Sequence, residues 1–496
     1  MNGLSIAIGM LAASPAMGAV AQPYEKIACS ALHLDLPAVL KGVECGLLDV
    51  PESRNRVSTH RLKIAVAVAK ATGVRQADPI IYVHGGPGIA ALDRFPIAMT
   101  RQSWPRLRND RDVIFFDMRG TGRSRPHLCP SFDQGRRKLT ASALPQAQEL
   151  ERKIVLARAC RAELERSGFD FHSHSAAAIA DDMEDLRRAL GYERWNIFGT
   201  SYGSLPALDY IRRYRENVRS LLLDSAFPPS SASYAEQLSL TAKALAAVQR
   251  SCDHSVQCRK RYPDVRNLAA KAIAKLNRVP IVSGKSRIDG NRFADAMWAT
   301  LVTTSTVQYL PELLLRASRG DEGTIKAFTD NFGDDSFGGF SPSQAWMVSC
   351  YEVFAGRTRG LVAKAIEANP DLAGQLVADE QDRLCEALQP AHAPPSFFAP
   401  IESDVPTLIF AGEFDPATPA EDAYVAARFL SRATVLEVSG ASHAPFYTDE
   451  CTRNIGRAFF RNPEVVPDSS CLATREHFKF ASPQQFEDYV KTLTAH

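Results

Sequence analysis

Residues 194–204 read RWNIFGTSYGS, and the reading of this stretch decides the fold. The apolar run Trp195–Phe198 has strand character, Gly199 and Gly203 bracket Ser201, and SLPALDYIRRY from Ser204 onward has the character of a helix. A five-residue G-x-S-x-G match alone occurs by chance in many chains. Set between a strand and a helix, it reads as a nucleophile elbow, a turn that holds the serine in strained backbone geometry with its Oγ exposed above a sheet. The glycines then meet a steric need, because side chains there would collide with the turn or with the helix packing on the strand.

The same grammar recurs along the chain, a short apolar run followed by a loop bearing glycine or proline. It is seen in DPIIYVHGGPG (78–88), RDVIFFDMRGTGRS (111–124), VRSLLLDSAFPP (218–229), VPTLIFAGEFDPATP (405–419) and ATVLEVSGASH (433–443). Continuous rather than alternating apolar runs predict strands buried on both faces, hence a mostly parallel, doubly wound α/β sheet. RLKIAVAVAK (61–70) alternates more cleanly and predicts a more exposed antiparallel strand near an edge. Between 230 and 400 the pattern changes: SYAEQLSLTAKALAAVQRSC and NLAAKAIAKLNRV have helical periodicity, and residues 331–343 form a Gly/Ser/Asp-rich loop. The expected organisation is a core in two parts, 22–229 and 401–496. A mostly helical cap, 230–400, is inserted before the last two strands and lies over one end of the sheet.

A serine hydroxyl needs a general base, and the base needs an acid to orient it. After an elbow of this type the acid and then the base follow at the carboxyl ends of later strands. Asp415 lies in the loop after one late strand and His443 after the next. Glu413 is a rival acid nearer the strand end; His477 and His496 are rival bases that follow no comparable strand. The developing oxyanion needs oriented donors, each worth about 2.7–4 kcal/mol of barrier. The N–H of Tyr202 is one, and the loop His84–Gly88 should supply another, with His84 read as structural.

Together HGGPG, DMRGTGRS, GTSYGS, GEFDPATP and GASH resemble the proline iminopeptidase and tripeptidyl aminopeptidase family of α/β-hydrolases, in its larger secreted branch with a TAP-like C-terminal segment (peptidase S33). The resemblance spans roughly residues 40 to 475. It implies the roles of Ser201, Asp415 and His443, an oxyanion hole from Gly86 and Tyr202, and a structural Asp117–Ser124 segment in which Arg119 forms a salt bridge. It also implies exopeptidase action on a peptide whose free α-amino group is held by acidic residues of the cap. SCYEVFA (349–355) resembles the family's C-x-E segment, which makes Glu352 the candidate for that ammonium, with Asp334 and Asp335 as alternatives.

The 496 residues, 45% hydrophobic and 23% charged with a net charge of +2, are those of a globular protein and give nucleic-acid binding little support. Leu4 to Val20 is apolar, and Ala19-Val20-Ala21 fits a cleavage site, so residues 1–21 read as a signal peptide and the protein as exported, without a membrane span after processing. Ten cysteines agree with export, and sequential pairing would join Cys29 to Cys45, Cys129 to Cys160, Cys252 to Cys258, Cys350 to Cys385 and Cys451 to Cys471. His172-Ser173-His174 has no second ligand cluster and precedes a helix where serines cap, so no metal is expected, nor any cofactor. The oligomeric state is left open. The expected activity is that of an exported serine aminopeptidase working through an acyl-enzyme, with an esterase acting on esters or lactones as the alternative, since the same triad serves both.

Overall fold

The computed structural model describes residues 23–494, apart from 57–58, 102–103, 141, 143, 284–285, 333–338, 355–357, 375 and 476. The signal segment, Asp334, Asp335 and His496 therefore lie outside the described residues.

Eleven strands are described: β1 (Tyr24–Ile27), β2 (Val43–Pro51), β3 (Arg61–Ala69), β4 (Ile80–Val83), β5 (Val113–Phe116), β6 (Trp195–Ser201), β7 (Val218–Ala226), β8 (Ile281–Ser283), β9 (Ser286–Ile288), β10 (Thr407–Gly412) and β11 (Ala433–Val438). Nine form one sheet in the order β1-β2-β3-β5-β4-β6-β7-β10-β11. The pairings from β5 to β11 are all parallel, whereas β1, β2 and β3 enter antiparallel. The inner parallel strands are buried on both faces, as their unbroken apolar runs require, with Ile81 and Val83 in one core and Ile80 and Tyr82 in the other, whereas β11 at the edge is mostly half-buried. This is the α/β-hydrolase architecture. β3 is antiparallel but lies third from the edge, and only its first residues alternate between exposed and buried. β1 and β2, which cover that edge, have no counterpart in the sequence reading.

Between β7 and β10 the chain is helical, apart from the small β8–β9 hairpin, and it has its own core in which Leu245, Val248, Phe293, Leu313 and Phe328 pack together. Two segments assigned to the sheet domain on sequence also join this layer. Residues 128–169, including the helix Gln146–Ser167, pack through Phe132, Leu150 and Ile154 against Met347, Leu384 and Leu388 of the insertion. Phe486 of the last helix, Pro483–Thr494, lies in the core of the insertion, stacked on Phe328. Each such buried aromatic contributes roughly 1.5–3 kcal/mol by leaving water.

All five sequential disulfides are formed. Cys350–Cys385 ties the helix Pro342–Glu352 to Glu380–Leu388, and closing its 35-residue loop is worth about 3–4 kcal/mol of chain entropy. Among the described residues no helix is long and apolar enough to cross a membrane.

Candidate active site

Ser201 ends β6 with φ 55, a left-handed conformation that costs a serine of order 1–3 kcal/mol and persists only where its surroundings impose it. The helix Ser204–Arg213 starts at once and packs hard against β4: a Cβ on Gly203 would collide with the carbonyl oxygens of Val83 and His84. The loop after β4 crosses directly over the serine, so that a Cβ on Gly85 would lie 2.6 Å from that of Ser201. Strand, close-packed helix and crossing loop leave Ser201 facing a cavity of about 580 Å³, which His443 also lines. Among the described residues Ser201 Oγ makes no side-chain hydrogen bond, as is common before substrate aligns a catalytic pair.

Asp415 lies in the loop after β10, and its carboxylate accepts five hydrogen bonds. Oδ1 takes the N–H groups of Ala417 (2.8 Å) and Thr418 (3.1 Å), and Oδ2 takes Ser225 Oγ (2.9 Å), Thr418 Oγ1 (2.7 Å) and His443 Nδ1 (2.8 Å). Burial alone would raise Asp415, but His443 and the Thr418 donors overcome it and hold the carboxyl below its ordinary 3.8. Burial would likewise lower His443, but the Asp415 charge and hydrogen bond raise it above 6.5. With Nδ1 committed to Asp415, Nε2 is the nitrogen left to serve the nucleophile. Thr418 Oγ1 is also 3.1 Å from His443 Nδ1.

The helical insertion grips the histidine loop. His443 N–H donates to Val302 O (3.1 Å) and Ser442 N–H to Thr304 Oγ1 (2.8 Å). Ser225 (φ 64) and Ala444 (φ 56) share the left-handed backbone of Ser201, and Ser225 Oγ accepts the Ala444 N–H at 2.9 Å. Asp224, fully buried at the end of β7, accepts the Phe446 N–H (3.3 Å) and is pushed up by burial to about 8.

The oxyanion side is held from two directions. Tyr234 Oη donates to Gly86 O (2.6 Å), fixing the loop in which Gly86 adopts φ 122. The Tyr202 side chain is wholly buried and donates to Glu352 Oε2 at 3.0 Å. Among the described residues neither the Gly86 nor the Tyr202 N–H has a backbone acceptor. His84 is buried and held neutral, pushed down to about 4 by burial and then by the Arg94 charge.

Glu352, expected to hold a substrate ammonium, is placed elsewhere. It is 1% exposed and does not line the cavity; Oε1 accepts the N–H of Ala176, at the start of the helix Ala176–Leu190, and Oε2 the Tyr202 hydroxyl. Burial pushes it up to about 8, with no cation beside it among the described residues. It braces the residue after the nucleophile from behind and has no free face for a ligand. Among the described residues lining the cavity there is no aspartate or glutamate; the charged ones are Arg94 and Arg136, and the rest of the wall is largely apolar, with Trp298, Trp346 and Phe354 from the insertion.

The remaining sequence expectations fall behind the site. Buried Arg119 forms a two-pronged pair with Asp182 (2.8 and 2.5 Å) and donates to Glu52 O and Ser173 O. Asp117 accepts the N–H groups of Leu92 (2.8 Å) and Arg123 (2.7 Å), fastening the start of the helix Ala91–Arg101 to the next loop. Ser175 caps the helix Ala176–Leu190, while His174 is buried and approaches Ser173 Oγ at 3.0 Å. Glu413 accepts the Gly440 N–H at 2.8 Å, and His477 stacks on His254, so neither rival takes part in the relay. Thr418, Ser225 and Arg94 were missed; only Thr418 left a signal, a hydroxyl three residues after an aspartate in a turn.

Comparison with known proteins agrees with this geometry. Residues 78–250 match the model of the alpha/beta hydrolase fold and 370–471 that of the TAP-like protein family. The tripeptidyl aminopeptidase of Streptomyces lividans is 30% identical over 199 residues, a match covering 38% of this chain and 36% of that enzyme. Carboxylesterase B of Mycobacterium tuberculosis is 26% identical, with 87% of this chain and 86% of that one covered. The serine protease Hip1 of the same organism is 25% identical, with 92% of each chain covered. With an elbow serine and a histidine–aspartate pair in place, the chain has the α/β-hydrolase fold, matched over 78–250, and carries a TAP-like segment over 370–471.

Proposed function

We propose that the protein is an exported serine peptidase that removes residues from the N-terminal end of peptides through an acyl-enzyme. The observation that carries this is the strained Ser201 facing a cavity shared with His443, whose Nδ1 is held by Asp415. Ser201 Oγ attacks the carbonyl carbon as His443 Nε2 takes its proton, and the oxyanion is received by the N–H groups of Gly86 and Tyr202. Collapse of the tetrahedral species breaks the C–N bond, and His443 returns the proton to the leaving amine. Water then repeats the cycle on the acyl-serine. The likeness to a tripeptidyl aminopeptidase and a serine protease supports peptide bonds as targets, and five disulfides support export.

A second reading, a carboxylester hydrolase, is favoured by one observation: no described residue lining the cavity is a carboxylate that could select a free amine. The deciding experiment compares peptide anilides with free and blocked N-termini beside simple esters, with product masses read by mass spectrometry. Free-amine anilides cleaved well above blocked ones establish the peptidase; turnover of esters alone establishes the second reading. Ser201→Ala must silence every substrate, and retained turnover overturns both.

A further inference from the structure

The cavity beside Ser201 contains an arginine that no described residue neutralises. Arg94 lies on the helix Ala91–Arg101, partly buried, and lines the same cavity as Ser201 and His443. Among the described residues its guanidinium has no hydrogen-bond partner and no ion pair. The described carboxylates at this turn of the helix are committed: Asp93 pairs with Arg123, and Asp117 accepts the N–H groups of Leu92 and Arg123. Other arginines of this layer are fully engaged, Arg119 with Asp182 and Arg123 with Asp93.

A guanidinium presents five donors in a planar fork, and where it faces a cavity those donors are met by solvent or by a ligand. The neighbours of Arg94 in the wall are unable to do this: Ile97, Ala98 and Phe115 are apolar, and His84 is neutral. The helix that carries Arg94 follows the loop His84–Gly88 directly in the chain, Gly85 of that loop crosses over Ser201, and loop and arginine line the same cavity. The chemistry that completes such a site is a carboxylate, which matches the fork with two parallel hydrogen bonds, carried on an otherwise apolar molecule.

We propose that Arg94 is a specificity-determining residue that anchors a carboxylate of the substrate, so that the enzyme prefers acyl compounds bearing a negative charge near the scissile bond. This deepens the reading of Ser201 as nucleophile and rests on it, whichever bond is cleaved. The carboxylate has two sources, the acyl part or the leaving part.

Two pairs of activated esters, which a serine peptidase and an esterase both turn over, distinguish the sources. The acyl pair is the 4-nitrophenyl ester of hexanoate and the mono-4-nitrophenyl ester of adipate. The leaving-group pair is the hexanoate ester of 3-hydroxybenzoate and that of 3-hydroxybenzamide. Wild-type kcat/KM favours the anionic member of one pair by at least tenfold. Arg94→Gln lowers that member by about ten- to hundredfold and its neutral partner by less than threefold, the range expected for hydrogen bonds to a charged group. Arg94→Lys, which keeps the charge but not the fork, restores part of the preference. No preference in either pair, or an equal loss on both members in Arg94→Gln, overturns the proposal. Turnover surviving in Ser201→Ala would instead remove the nucleophile assignment, so the two failures are separable.

Discussion

The loop after β10 and the last turn of the helix Pro342–Glu352 each bury a carboxylate one hydrogen bond from a catalytic group, with opposite results. Asp415 gathers five donors, one of them the imidazole of His443, so it stays ionised below its ordinary range. Among the described residues Glu352 has two donors, the Ala176 N–H and the Tyr202 hydroxyl, and no cation, so burial raises it to about 8. Depth is the same in kind; donor number and the nearest cation decide the charge state. The contrast separates an acid that works electrostatically from one that works as a brace.

The largest test of that division is Asp415→Asn. An amide in this place disturbs the tautomer of His443 and removes the charge that stabilises its cation. kcat/KM should fall by about 10³–10⁴-fold with the fold unchanged by circular dichroism. A loss below tenfold would mean that Asp415 is no different in kind from Glu352.

Next in size is the brace. Glu352→Ala leaves the Tyr202 hydroxyl and the Ala176 N–H buried without partners, at about 1–3 kcal/mol each, so denaturant titration should show a loss of roughly 2–5 kcal/mol. Glu352→Gln, an isostere of the protonated acid, should stay within about 1 kcal/mol of wild type at and below pH 4.5 and be the more stable of the two at neutral pH. It should also leave the ratio of free to blocked peptide turnover unchanged, which an ammonium-binding carboxylate would not. The pH dependence follows from the raised value. The contribution of Glu352 to stability is complete below pH 4.5 and is lost as pH rises through about 8, so the wild-type melting temperature should decline over that interval more than that of Glu352→Gln. Parallel curves would show that Glu352 does not titrate in this window.

How these two carboxylates appear in the sequence explains what was legible. Asp415 follows an unbroken apolar strand and His443 a mostly apolar one, so local pattern and chain order were enough to place them, as they were for Ser201 and the loop over it. Glu352 bonds to residues 176 and 150 positions away in the chain, and no periodicity reports which helix end meets which elbow. A family resemblance supplied its residue type but not its direction. The antiparallel edge was harder to see for a local reason. β2 contains Gly46 and ends on Pro51, and β3 alternates only until Ile64, beyond which both faces are covered. The helix Gln146–Ser167 fell within the 22–229 core on sequence, because its apolar residues announce burial without naming the partner, which proves to be the insertion. Arg94 has no local signature, since an unpaired cation is recognised only when the surrounding acids are seen to be taken.

The smallest expected effect tests whether the Asp415 donors act on charge or only on position. Thr418→Val removes one of the five, Oγ1 at 2.7 Å, and keeps the shape of the side chain. One hydrogen bond to a carboxylate with four others remaining is worth about 0.5–1.5 kcal/mol, so kcat/KM should fall by roughly three- to tenfold with KM little changed. The acid limb of the pH profile should stay where it is. His443 is the general base only when neutral, and activity falls as pH drops through its value, which Asp415 holds above 6.5 against burial. Thr418→Val leaves the Asp415 charge in place, so the limb should remain above 6.5, whereas the residual activity of Asp415→Asn should titrate lower, because burial then acts on His443 with its nearest counter-charge gone. If Thr418→Val moves the limb below 6.5, the hydroxyl helps to set the charge of the relay as well as its geometry, and the carboxylate alone no longer accounts for the difference between the two buried acids.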